Sequence, residues 1–229
     1  LTERLHDDRC AARRADLQFA GDNAAVARAQ GVGTIVDNDT AVSTSLVSAV
    51  LPSSRSVQVG VSATAFATII NAGATTATGC GIFPITSLPV IFSFQATDPA
   101  NQPTGSPNTP VDITAGAARS FIISLTPTAP VTSTDVQFSF SCANASAAPI
   151  NSGLNTLLFS ASATPIPDIV ALAATLTNDG IANIPGNTGT GVFVVATVNV
   201  GASGSITASA DTGGTVLPVN ISLCQTNPV

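Results

Sequence analysis

Ala67-Thr68-Ile69-Ile70-Asn71-Ala72-Gly73 recurs in outline as Ala196-Thr197-Val198-Asn199-Val200-Gly201. Each copy is followed by a strand-like run ending in cysteine. The first is Asp135-Val136-Gln137-Phe138-Ser139-Phe140-Ser141-Cys142 and the second is Pro218-Val219-Asn220-Ile221-Ser222-Leu223-Cys224. An order of strand, turn, strand and cysteine that occurs twice predicts one small β unit duplicated along the chain. Alternation within the first run places Val136, Phe138 and Phe140 on one buried face. Ser56-Val57-Gln58-Val59-Gly60-Val61 does the same for Val57, Val59 and Val61.

Outward from these segments, residues 41–165 read as strands separated by Gly, Pro and Asn, at 44–50, 56–61, 63–71, 90–95, 120–126, 135–142 and 157–163. Seven short strands with one face inward predict an immunoglobulin-like β-sandwich. The Pro-, Asn- and Gly-rich stretch 97–109 reads as a long exposed loop. Thr164-Pro165-Ile166-Pro167 marks a boundary, since two prolines in four residues favour a stiff extended linker. Beyond it, 166–229 offers about four strands, at 169–176, 191–199, 205–210 and 217–224, which is too few to close a second sandwich. The expected fold is therefore all-β: a sandwich followed by an incomplete repeat.

Composition agrees and excludes several functions. Of 229 residues 45% are apolar and only 9% charged, and Lys, Tyr, Trp and Met are absent. Thr and Val favour the half-buried pleat of a strand, and 15 Pro and 18 Gly supply the breaks. A net charge of −6 with no lysine argues against nucleic acid, because phosphate binding needs a concentrated basic patch. Arg4, Arg9, Arg13, Arg14 and Arg28 cluster near the start, but they are mixed with acids and read as a solvated segment. Mean hydropathy is +0.42, yet no stretch approaches the ~20 apolar residues of a spanning helix. An outer-membrane barrel would need aromatic girdles that Phe alone does not supply. The chain begins at Leu1 and ends shortly after a cysteine, so it reads as part of something longer.

Catalytic chemistry is limited by inventory. General acid–base work draws mostly on His, Glu, Lys and Tyr, and this chain has His6 and Glu3 alone. No serine stands in Gly-x-Ser-x-Gly, and no cysteine spacing suits zinc. Sugar platforms of Trp or Tyr are missing. Asp211-Thr212-Gly213 matches the aspartic-protease triplet. It occurs once, however, after the alternating Thr207-Ala208-Ser209-Ala210, and Asp-Thr-Gly-Gly between strands is equally a hairpin turn. Turn chemistry is the preferred reading. Cys80 and Cys142 fall in one predicted sandwich, where a bridge between sheets is familiar. Two buried thiols are the alternative. Cys224 has no counterpart of Cys80 in its own copy, so a partner past Val229 is the expectation, and Cys10 reads as unpaired.

At the N-terminus, Gly31-Val32-Gly33-Thr34-Ile35-Val36-Asp37-Asn38-Asp39 resembles the closing strand of a Calx-β domain, with a weaker match from about residue 20. The resemblance implies that residues 1–40 are the C-terminal remnant of such a domain. It also implies that Asp37 and Asp39 are calcium ligands, and weak ones, since calcium prefers six to eight oxygens. The rest of the chain resembles the immunoglobulin-like repeats found beside Calx-β domains in bacterial surface and secreted proteins. The expected function is a non-enzymatic structural or interaction module, extracellular or at the cell surface, whose partners are neighbouring domains of a longer chain. Two alternatives remain open: a non-catalytic appendage of a secreted hydrolase, and a retropepsin-like dimer using Asp211.

Overall fold

The computed structural model describes residues 45–177, 180–186, 188–210, 212 and 215–226. All of them lie in a compact unit running from Ser43 to Val229. The described residues are all-β, with eleven strands and no helix. Strands β1 (Leu46–Leu51), β3 (Ala63–Asn71), β7 (Ala118–Pro127) and β5 (Val90–Ala96) form one antiparallel sheet in the order β1-β3-β7-β5. Strands β2 (Ser54–Gln58), β9 (Thr156–Ser162), β8 (Val131–Ser141), β4 (Ala77–Pro84) and β6 (Val111–Ile113) form a second, in the order β2-β9-β8-β4-β6. Its β2–β9 pair is parallel. A third sheet is the two-stranded ribbon of β10 (Ile169–Thr175) and β11 (Phe193–Asn199).

The first two sheets share one core. Alternation buries Ala63, Ala65, Ala67 and Ile69 of β3, Phe121, Ile123 and Leu125 of β7, and Val136, Phe138 and Phe140 of β8. Rings meet across the layers: Phe92 of β5 lies 5.8 Å from Phe138, and Phe94 lies 5.7 Å from Phe83 of β4 in an edge-to-face arrangement. Because β3 brings mostly alanine, the phenylalanines of its neighbours fill the interior volume that close packing requires.

Asn71 turns the chain from one sheet to the other. Fully buried, it has its amide satisfied throughout: Nδ2 donates to Thr75 O (2.7 Å) and Ile113 O (3.0 Å), and Oδ1 accepts from Gly73 N–H (3.0 Å). The repeated segment makes the same turn in the ribbon, where Asn199 Oδ1 accepts from Gly201 N–H at 3.1 Å. The equivalence extends to the partner strands. Leu46 pairs with Asn71 and Ile169 with Asn199, while Ala72 N–H donates to Ser45 O and Val200 N–H to Asp168 O, both at 2.8 Å.

Several expectations need correction. β4 and β6 lie outside the seven strands that alternation predicts. Gly79, at φ +59°, sits in the irregularity between Ala77 and Cys80, a bulge that hides the alternation of β4. Val57 is buried as expected, but Val61 is half exposed because β2 ends at Gln58 and Gly60 (φ +85°) reverses the chain. Segments 205–210 and 217–224 are not strands. Every position of β11 is exposed, and β10 is at most half-buried. A ribbon with no opposing layer does not reward the ordering of further strands. Stretch 97–109 is largely exposed, yet its backbone runs back along the free edge of β5. Asn108 N–H donates to Phe94 O (2.7 Å), Phe94 N–H to Asn108 Oδ1 (3.0 Å), and Gln95 Nε2 to Gly105 O (2.7 Å). The loop thus covers an edge that would otherwise template association.

Candidate functional site

Asp37, Asp39, Cys10 and Asp211 lie outside the described residues, as do Gly213 and Gly214. Next to them, Thr215 N–H donates to Thr212 O at 3.4 Å. Cys80 and Cys142 are joined in a disulfide, S–S 2.07 Å. The expected bridge between the two sheets is instead a bridge within one of them. Gly81 pairs with Ser141 in the β4–β8 ladder, so the next rung sets Cys80 opposite Cys142 within one sheet. Cys224 is an exposed free thiol.

The described carboxylates are engaged one at a time, each by a neighbour in the fold. Asp98 Oδ1 accepts from Ala100 N–H (2.9 Å) and Gln102 N–H (2.8 Å), closing a local turn. Asp112 Oδ1 takes Gly79 N–H at 2.8 Å and so pins β6 to the bulge of β4. Asp135 Oδ2 accepts from Ser152 Oγ at 2.7 Å. Asp168, 2% exposed, accepts from Arg55 Nε on Oδ2 (2.9 Å) and from Ser56 N–H on Oδ1 (2.9 Å), and Arg55 Nη2 lies 2.8 Å from Oδ2. Among the described residues no three His, Cys, Asp or Glu side chains come together.

What the structure does assemble is apolar. On the outer face of the first sheet, the registers align Leu51, Phe66 and Ile122 in one row and Val47 with Ile70 in another. Val47, Leu51, Phe66 and Ile70 are 40–55% exposed. The aligned residues between and beyond these rows are Ala49, Thr68, Ser120, Thr64, Ser124 and Ser93, so this face carries no charge. Phe66 and Ile70 occupy the outward parity of β3, so alternation in the sequence already separates them from the buried face. A second apolar feature is a cleft of about 410 Å³ on the ribbon, lined by Ala173, Ala174, Thr175, Gly180, Ala182 and Phe193. None of these described lining residues is ionisable. Both features offer burial of apolar surface.

No family model, curated protein or solved structure matches the chain. Among the described residues, no helix is long and apolar enough to cross a membrane.

Proposed function

We propose that this chain is a non-enzymatic structural module of a multidomain protein, extracellular or at the cell surface, built from immunoglobulin-like units. The observation that carries this reading is the use made of the carboxylates among the described residues. Asp98, Asp112, Asp135 and Asp168 each accept hydrogen bonds that close a turn, pin a strand or cap an edge. A disulfide reinforces the same body and suits an oxidising compartment. Strand order supports the immunoglobulin-like part. With β1, β3, β4, β5, β7, β8 and β9 taken as A to G, the sheets read A-B-E-D and G-F-C. The shared turn at Asn71 and Asn199 supports reading 166–229 as the opening of a second such unit. Immunodetection on intact, unpermeabilised source cells and in their medium tests the placement. Signal from antibodies against residues 45–163 is expected before lysis, and signal appearing only after lysis would overturn the reading.

The Calx-β resemblance of residues 31–39 supports a remnant that binds calcium weakly through Asp37 and Asp39. Calorimetry is expected to give no binding, or affinity no better than the roughly millimolar range of extracellular calcium modules. Micromolar binding lost in Asp39→Ala would mean a complete site instead.

A further inference from the structure

We propose that Asp168 and Arg55 form a rigid joint that locks the β10–β11 ribbon to the free edge of β2, so that the proline-rich segment before it acts as a splint and not as a hinge. Asp168 is the residue at which the chain leaves the two-sheet body and enters the ribbon, and it is held from both directions. Toward the body, both its carboxylate oxygens are occupied: Arg55 closes on Oδ2 through Nε and Nη2, and Ser56 N–H donates to Oδ1. Two guanidinium nitrogens on one carboxylate fix orientation as well as distance. Arg55 is itself oriented, because its Nη1 donates to Thr64 O of β3. Toward the ribbon, Asp168 N–H donates to Asn199 Oδ1 (3.0 Å) and its carbonyl accepts Val200 N–H (2.8 Å).

The side-chain exposures are 13% for Arg55 and 3% for Asp168, so solvent does little to screen the pair. Removing one partner would leave the other buried without a counter-charge. Backbone packing reinforces the lock. Ile166 O accepts Ala202 N–H at 3.0 Å, and a Cβ on Gly201 would stand 2.5 Å from Ile166 O and 2.6 Å from Asp168 N. Only glycine permits that approach. Pro165 and Pro167 restrict the backbone on the near side. The same carboxylate caps Ser56 on the edge strand β2, so the joint also closes an edge of the body. The inference deepens the structural-module reading, and in its functional meaning rests on it: successive units would be held at a fixed angle, as a spacer that must keep its reach requires. The joint itself can be tested apart from where the protein resides.

Backbone ¹⁵N relaxation on the full chain is the measurement. In the wild type, amides of β10 and β11 are expected to show the order of those in β7 and β8, about 0.85 for rigid backbone. In Asp168→Ala the ribbon amides are expected to fall toward the flexible range, below about 0.6, while β7 and β8 keep theirs. Arg55→Lys, which keeps charge but not the fork, should fall between. Gly201→Ala attacks the joint from the backbone without touching the ion pair. It should loosen the ribbon as well, and it decides the matter if Asp168→Ala loses the dispersed spectrum of the body. A ribbon that reorients independently in the wild type would overturn the proposal, and so would one that stays as ordered as the body when the joint is broken.

Discussion

Phe138→Ala is expected to lower the unfolding free energy by about 4 kcal/mol, within the roughly 3–5 kcal/mol typical of a truncated core phenylalanine. Phe138 is fully buried and stands at the centre of the aromatic contacts, 5.8 Å from Phe92 on the facing sheet and 6.1 Å from Phe140 on its own strand. Its removal costs the transfer energy of the ring and leaves a cavity between two hydrogen-bonded layers that cannot close independently. In urea the midpoint should fall by about 1–4 M with the slope unchanged, since the surface exposed on unfolding is nearly the same. Phe83 serves as the control. It is half exposed and lies outside the buried core cluster, meeting Phe94 edge to face, so Phe83→Ala should cost far less. Equal losses for the two would mean that the sheets do not share the core described above.

That core was legible in the sequence where alternation was unbroken. Val136, Phe138 and Phe140 carry a period of two without a glycine or proline between them, and β3 begins and ends where its pattern does, at Ala63 and Asn71. Legibility failed where backbone geometry outranked side-chain pattern. In Ala77-Thr78-Gly79-Cys80-Gly81 two glycines interrupt the alternation, yet Gly79 serves a bulge and the strand continues to Pro84. β6 is three residues long and is held by its neighbours, among them the Asp112 contact to Gly79, so it has no pattern to show. The ribbon presents the opposite case. Segments 205–210 and 217–224 have strand composition, but composition is realised as a strand only where an adjacent edge and an opposing layer exist. The joint could not be read at all. Nothing in local sequence links Arg55 to Asp168, 113 residues away, and a proline-rich boundary looks the same whether it swings or is clamped.

Removing the Cys80–Cys142 bridge is expected to cost about 4 kcal/mol as well, by a different route that can be distinguished in the same titration. The bridge closes a separation of 62 residues, and in the loop-entropy model a loop of that size gives about 4 kcal/mol through the unfolded chain. The folded state has little to lose, because the β4–β8 ladder already holds the two residues on opposite strands through the Gly81–Ser141 rung. A Cys80→Ala/Cys142→Ala variant should therefore keep the native spectrum and unfold at lower denaturant. Its slope should be steeper, since an uncrosslinked denatured chain exposes more surface. Phe138→Ala changes the midpoint alone, which separates a core effect from a chain-entropy effect. Labelling supplies the independent check. Cys224 is exposed and should react with iodoacetamide at once. Cys80 and Cys142, fully buried and 7% exposed, should become reactive only after denaturant and reductant together. If both alkylate in the folded, oxidised protein, there is no bridge and the stability argument falls with it. If they are protected but the double variant loses less than about 1 kcal/mol, the chain-entropy account is wrong for this protein.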